Sequence, residues 1–202
     1  MSEFDFEAPP YSWDEIHVIT ERLRAEFNQT RSPIFPIMEF LEQVLDQEMD
    51  EISFQVGSID EMGSAEGLTC PYGTFIELRE DVYKAAWQND GRARFTAAHE
   101  LGHLILHSDP SSPLKRATPS NRLPAYRRCE PQANQFAAEL LMPREYITTA
   151  DSASSISARH FVSIEAAANR LQFLQRRNLL TIEKDPSLYS SPILLSALGD
   201  KG

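Results

Sequence analysis

Apolar positions along the chain fall into blocks with helical spacing, separated by two short stretches that alternate. Ile16, Ile19, Leu23 and Phe27 recur at steps of three and four behind Ser12 and Glu15, a capping-box pair that opens a helix. Pro33 and Pro36 end that block, and Ile37, Phe40, Leu41, Val44 and Leu45 form a second helical stripe. Ile52, Phe54 and Val56 alternate with polar residues, the period of a strand, and Gly57, Gly63 and Gly67 then mark turns. A second strand is predicted over Thr74–Leu78, and a short helix over Asp81–Gln88 ended by Asn89-Asp90-Gly91. A long helix follows over Arg92–His107, its propensity interrupted only by Gly102. Residues 108–128, with four prolines and five basic side chains, read as a long loop of the kind that often serves function. A helix from Cys129 to Met142 is stopped by Pro143, and Ile156–Leu180 reads as two short helices with Ser163 as a cap. The tail from Asp185 reads as partly extended.

This pattern predicts a small α+β domain over residues 1–150, mostly helical with a short antiparallel sheet, and a helical segment with a tail, 151–202, packed on it. The 202 residues are 42% hydrophobic and 24% charged, an ordinary globular composition. The net charge of −11 excludes a strongly basic nucleic-acid binder. The acidity is concentrated in residues 1–61, with 15 acids against 3 bases. Its plain reading is a solvated helical face; the sharper one is a surface that repels nucleic acid or attracts a basic partner. No window approaches the roughly 18–20 apolar residues of a membrane span. The start MSEFDFEAPP has neither the basic end nor the apolar core of a signal peptide. Cys70 and Cys129 are too few for a disulfide framework. The expectation is a cytoplasmic protein with no membrane partner.

The candidate chemistry lies on the long helix, where His99-Glu100-Leu101-Gly102-His103 is an H-E-x-x-H motif. Residues i and i+4 share a helix face, so both imidazoles can reach one ion at about 2.0–2.1 Å. Glu100 is rotated by about 100°, which makes it a poor ligand alongside them but places it as a general base. The plainer reading is a helix with two half-buried, hydrogen-bonded histidines. Gly102 has no side chain and can admit another backbone. A catalytic zinc site wants a third protein ligand and an open position. His107 shares the face but lies about 12 Å along the axis from His99 at 1.5 Å per residue, so it reads as a capping or packing residue. Glu130 is the better third ligand. Asn134, one turn on, can accept a hydrogen bond from a zinc-bound imidazole. The plainer reading of Glu130 is an acid at a helix N-terminus, and Glu139 reads as a surface or helix-pairing charge. Tyr72, Tyr126 and His160 are candidates for stabilising an oxyanion. A peptide could add as a strand beside Thr74–Leu78 if that strand lies at an edge, with the loop 108–128 closing over it.

The segments 94–107 and 130–143, His-Glu-Leu-Gly-His-x-x-x-His and Glu-x-x-Ala-Asn-x-Phe-Ala-Ala-Glu-Leu-Leu-Met-Pro, resemble the ImmA/IrrE family of bacterial metallopeptidases. The strand at Thr74–Leu78 fits that likeness, and Val162–Leu171 resembles the family's helix-turn-helix-like segment. The resemblance spans about residues 35–182. It implies a zincin-type α+β domain with Zn2+ held by His99, His103 and Glu130, and Glu100 as catalytic base. It further implies a helix-turn-helix repressor, or an antitoxin-like regulator, as the protein substrate, cut to release the genes it silences. Two other readings compete. One is an interaction module that binds a repressor or toxin without turnover. The other is a DNA-binding regulator with structural zinc, in which Arg159, Arg170, Arg176 and Arg177 face phosphate; the charge and the preference of structural zinc for four protein ligands oppose it.

Overall fold

The computed structural model describes residues 6–45, 52–108, 115–116 and 123–180. In chain order they form β1 (Phe6–Glu7), α1 (Trp13–Glu26), α2 (Ile37–Glu39, continued by a π-helical stretch Phe40–Leu45), β2 (Ser53–Gly57), α3 (Ile59–Met62), β3 (Gly67–Thr69) and β4 (Phe75–Arg79). Then follow α4 (Glu80–Trp87), α5 (Gly91–His107), β5 (Lys115–Arg116), α6 (Cys129–Leu141), α7 (Ala153–His160) and α8 (Ile164–Arg176). No helix among the described residues is long and apolar enough to cross a membrane. The tail from Asp185 and most of the loop 108–128 lie outside the described residues.

The capping box of α1 forms as its sequence predicts: Glu15 N–H donates to Ser12 Oγ and Ser12 N–H to the Glu15 carboxylate. A second box at Ser58 and Glu61 starts α3, where the glycine punctuation alone reads as a turn. Asn89 takes a left-handed φ of 62° to end α4, and Asp90 caps α5 by accepting from the N–H groups of Arg92 and Ala93. Thus the residues that end one helix also begin the next.

The three-stranded sheet runs β2-β4-β3, and it is mixed rather than antiparallel. β2 lies parallel to β4, because α3 and β3 intervene and carry the chain back to start β4 in the same direction; β3 pairs antiparallel with β4. β4 is therefore the central strand, and β3, which reads as a turn in the sequence, forms an edge. Ile76 and Leu78 of β4 are buried beneath α5, where they join Leu101, Phe136, Leu140 and Leu141 in one core. Ile156, Val162, Ala167 and Leu174 of the α7–α8 region enter the same core. A small second sheet pairs β1 with β5, and Ala8 N–H donates to the Arg127 carbonyl at 2.9 Å, laying the N-terminal segment along the entry to α6.

α5 and α6 cross in close contact at Gly102. A Cβ there would lie 3.2 Å from the Cα and carbonyl oxygen of Ala133 and 3.1 Å from the Phe136 ring. The glycine costs about 1 kcal/mol of helix propensity against alanine. In return, the two helices that carry the candidate ligands touch backbone to side chain.

Buried polar groups tie the helices together. Glu139 is fully buried and accepts from Arg170 at 2.6 Å, from Arg144 at 2.8 Å and from Gln135 at 2.9 Å, with His17 Nδ1 at 3.2 Å. It is a helix-pairing charge and not a surface one. Burial works to raise its pKa, but these partners outweigh it and hold the carboxyl well below its usual range.

His160 is fully buried, and its Nδ1–H donates to the Pro33 carbonyl at 2.7 Å. Burial, helped by the charges of Arg159 and Arg24, lowers its pKa to about 4 from 6.5. On falling pH the unfolded chain takes up this proton first. The stability due to neutral His160 is therefore complete above about pH 6.5 and is lost as pH falls toward 4, by up to about 3 kcal/mol. H160N keeps a donor toward Pro33 and cannot titrate. Urea unfolding from pH 7 to 4 should fall more steeply for the wild type than for H160N; parallel curves would contradict this account.

Candidate metal centre

His99 and His103 project from α5 on one face, as their spacing requires, with Nε2 atoms 3.0 Å apart. Glu130, in the first turn of α6, meets them across the Gly102 crossing: Oε2 lies 3.4 Å from His99 Nε2 and Oε1 3.6 Å from His103 Nε2. A tetrahedral ion with bonds of about 2.0–2.1 Å holds its ligand atoms about 3.3 Å apart, so the three separations bracket what one ion needs. Among the described residues these three form the one His/Cys/Asp/Glu cluster with metal-binding spacing.

Two of the three groups, His103 and Glu130, are in the ionisation state that a cation needs. His103 is pushed down to about 3 by burial, then by the neighbouring His99 and His107, so it is neutral with a free lone pair. Glu130 is held low chiefly by its hydrogen bond with His99, against burial, and is a carboxylate. Burial works to lower His99, but the hydrogen bond to Glu130, the charges of Glu100 and Glu130, and a hydrogen bond with Asn134 carry it upward. Two imidazoles and one carboxylate, with a cleft in front of them, make a donor set that leaves a position open.

Glu100 stands beside the triad and outside it. Its side chain is seated on β3: Thr69 Oγ1–H lies 2.7 Å from Glu100 Oε2 and 2.9 Å from the Glu100 carbonyl. Oε1 makes no hydrogen bond among the described residues. A Cβ on Gly67 would come within 2.6 Å of Glu100 Cγ, so only glycine leaves room for this rotamer. Burial raises the carboxyl's pKa, opposed by the Thr69 hydrogen bond, which moves it toward the range of a general base at neutral pH.

A cleft of about 660 Å³ opens on these groups, lined by Phe6, the strand β3, Cys70, Tyr72 and Cys129 among others. Neither Cys70 nor Cys129 is in a disulfide. The edge of β3 borders the cleft, so the strand available for peptide addition is β3, and Thr74–Leu78 is excluded because β4 lies between two neighbours. Of the three oxyanion candidates, Tyr72 lines the cleft, Tyr126 does not, and His160 is buried against Pro33 away from it.

The four arginines that the DNA-binding reading requires are mostly spent inside the chain. Arg170 is buried on Glu139, Arg159 pairs with Asp151, and Arg177 pairs with Asp14 and stacks on Phe173.

Thr69, Gly67 and Gln132 escape a reading of the sequence. The first two lie in a three-residue strand too short to alternate. Gln132, fully buried, carries no signal that separates it from a surface glutamine of an amphipathic helix. Residues 62–172 match the Peptidase_M78 family, described as the IrrE N-terminal-like domain. No curated protein matches the chain.

Proposed function

The chain belongs to the Peptidase_M78 family of metallopeptidases, and on that premise we propose that it is a zinc-dependent endopeptidase with His99, His103 and Glu130 as metal ligands and Glu100 as catalytic base. The observation that carries this reading is the donor triangle of 3.0, 3.4 and 3.6 Å, with a seated carboxylate at its side. When bound, zinc supplies a Lewis acid that polarises the scissile carbonyl and acidifies water.

The chain's own residues do the rest. A substrate strand adds to the free edge of β3 by main-chain hydrogen bonds, which brings its backbone across the cleft. Glu100 takes a proton from the attacking water at Oε1 and returns it to the nitrogen of the leaving amine. Thr69 holds the other carboxylate oxygen, so the base does not swing between positions. Asn134 steadies the His99 ring. The substrate, on the strength of the family resemblance, is a helix-turn-helix repressor or a related regulator, and the compartment is the cytoplasm.

Elemental analysis of purified wild type and E130A tests the ligand set. We expect about one zinc per wild-type chain and a marked loss in E130A. Equal zinc in both would remove Glu130 from the site.

A further inference from the structure

Behind the triad a line of hydrogen bonds leads from the N-terminal segment to one of the candidate ligands, and each member fixes the proton of the next. It starts at Gln132, whose Nε2 lies 2.7 Å from the Pro9 carbonyl and 2.7 Å from the Tyr126 carbonyl. Both carbonyls can only accept, so the amide nitrogen must face them and Oε1 must face the other way. Oε1 meets His107 Nε2 at 2.8 Å. It too can only accept, so His107 carries its proton on Nε2. A neutral imidazole has one donor and one acceptor, so a neutral His107 ring that donates from Nε2 has only its Nδ1 lone pair to offer on the other side. Its Nδ1 therefore accepts. The atom facing it at 3.0 Å is His103 Nδ1, which must donate. His103 is thereby left with its proton on Nδ1 and its lone pair on Nε2, the atom that points at His99 and Glu130.

We propose that His107 and Gln132 are positioning residues that set the tautomer of His103 and so present its Nε2 lone pair to the metal. The inference rests on the reading of His99, His103 and Glu130 as the metal set, and it gives His107 a task other than capping or packing. The i, i+4 spacing that disqualifies His107 as a third ligand is what brings it to the back of the His103 ring. The origin of the line is set in turn by the N-terminal segment. Pro9 is held in place by the bond from Ala8 N–H to the Arg127 carbonyl, and Glu7 bridges to Arg128.

Nitrogen-15 spectra of histidine-labelled, metal-free protein read each ring's tautomer directly. The expected wild-type result is His103 protonated on Nδ1 and His107 on Nε2. H107L removes the acceptor and keeps apolar bulk. It should release the His103 tautomer and weaken Zn2+ binding, measured by titration of the apoprotein, by about 10–100-fold. H107Q offers an amide oxygen to His103 and should recover most of that loss, which a purely structural role would not produce. His103 found protonated on Nε2 in the wild type, or H107L binding Zn2+ as tightly as wild type, overturns the proposal. The spectra need no metal, and the wild-type spectrum needs no variant. A wild type that takes up no Zn2+ would therefore defeat the metal-site reading while the tautomer still reports on the hydrogen-bond line.

Discussion

E100Q should bind zinc as the wild type does and lose peptide cleavage by about 10²–10⁴-fold, the usual worth of a positioned proton-transfer group. The substitution is close to isosteric. The amide oxygen of the introduced glutamine can still accept from the Thr69 hydroxyl, and the side chain still fits above Gly67. What disappears is the ability to accept a proton from water and deliver it to the amine. The comparison is made with a protein substrate, following cleavage on a gel, with metal content measured on the same samples. Full cleavage by E100Q would remove Glu100 from the mechanism. Absence of cleavage by both proteins, with zinc present in both, would favour the interaction-module reading. Burial raises the pKa of the Glu100 carboxyl, the direction that makes it a better proton shuttle than an exposed carboxylate.

The second large effect is on stability. E139A should cost about 3–5 kcal/mol, because it leaves the guanidinium of Arg170 buried with no counter-charge. Arg170 is 2% exposed and its other hydrogen bond goes to the Met142 carbonyl. A domain of ordinary stability has about 5–15 kcal/mol in total, so the variant should unfold at much lower urea. Removing both charges, as E139M with R170M, should recover much of the loss. A buried pair is costly to break and cheap to replace as a unit. A loss under about 1 kcal/mol in E139A would show that the cluster is better hydrated than its geometry indicates.

Much of this is legible in the sequence, and particular residues show where legibility ends. The H-E-x-x-H spacing puts two imidazoles on one face of any helix, so the pairing of His99 with His103 follows from local geometry. Bringing Glu130 to them is a tertiary event. Its visible signal is Gly102, which reads locally as a flaw in a good helix and turns out to face Ala133. The sheet is harder. Gly67-Leu68-Thr69 has no room for an alternating pattern, so the edge strand carries no signal and the central strand offers itself as the edge. The buried charges are harder still. Arg24, Arg94 and Arg170 donate to carbonyls or to Glu139 deep in the fold, and nothing in the sequence separates them from surface arginines on the same helices. The parallel pairing of β2 with β4 likewise depends on a crossover that hydrophobic periodicity does not encode.

The N-terminal strap has a consequence for how the protein can be divided. The matched family region starts at residue 62, yet Pro9 orients Gln132 and His17 contacts Glu139. A fragment trimmed to residues 62–172 would contain every proposed ligand and the proposed base. It would lack one of the two carbonyls that orient Gln132, leaving only that of Tyr126, and the helix that carries His17 to Glu139. The working unit is thus a composite of two stretches distant in sequence, and a graft of the recognisable part onto another scaffold would carry the donors without the Pro9 carbonyl that helps to orient Gln132 behind them.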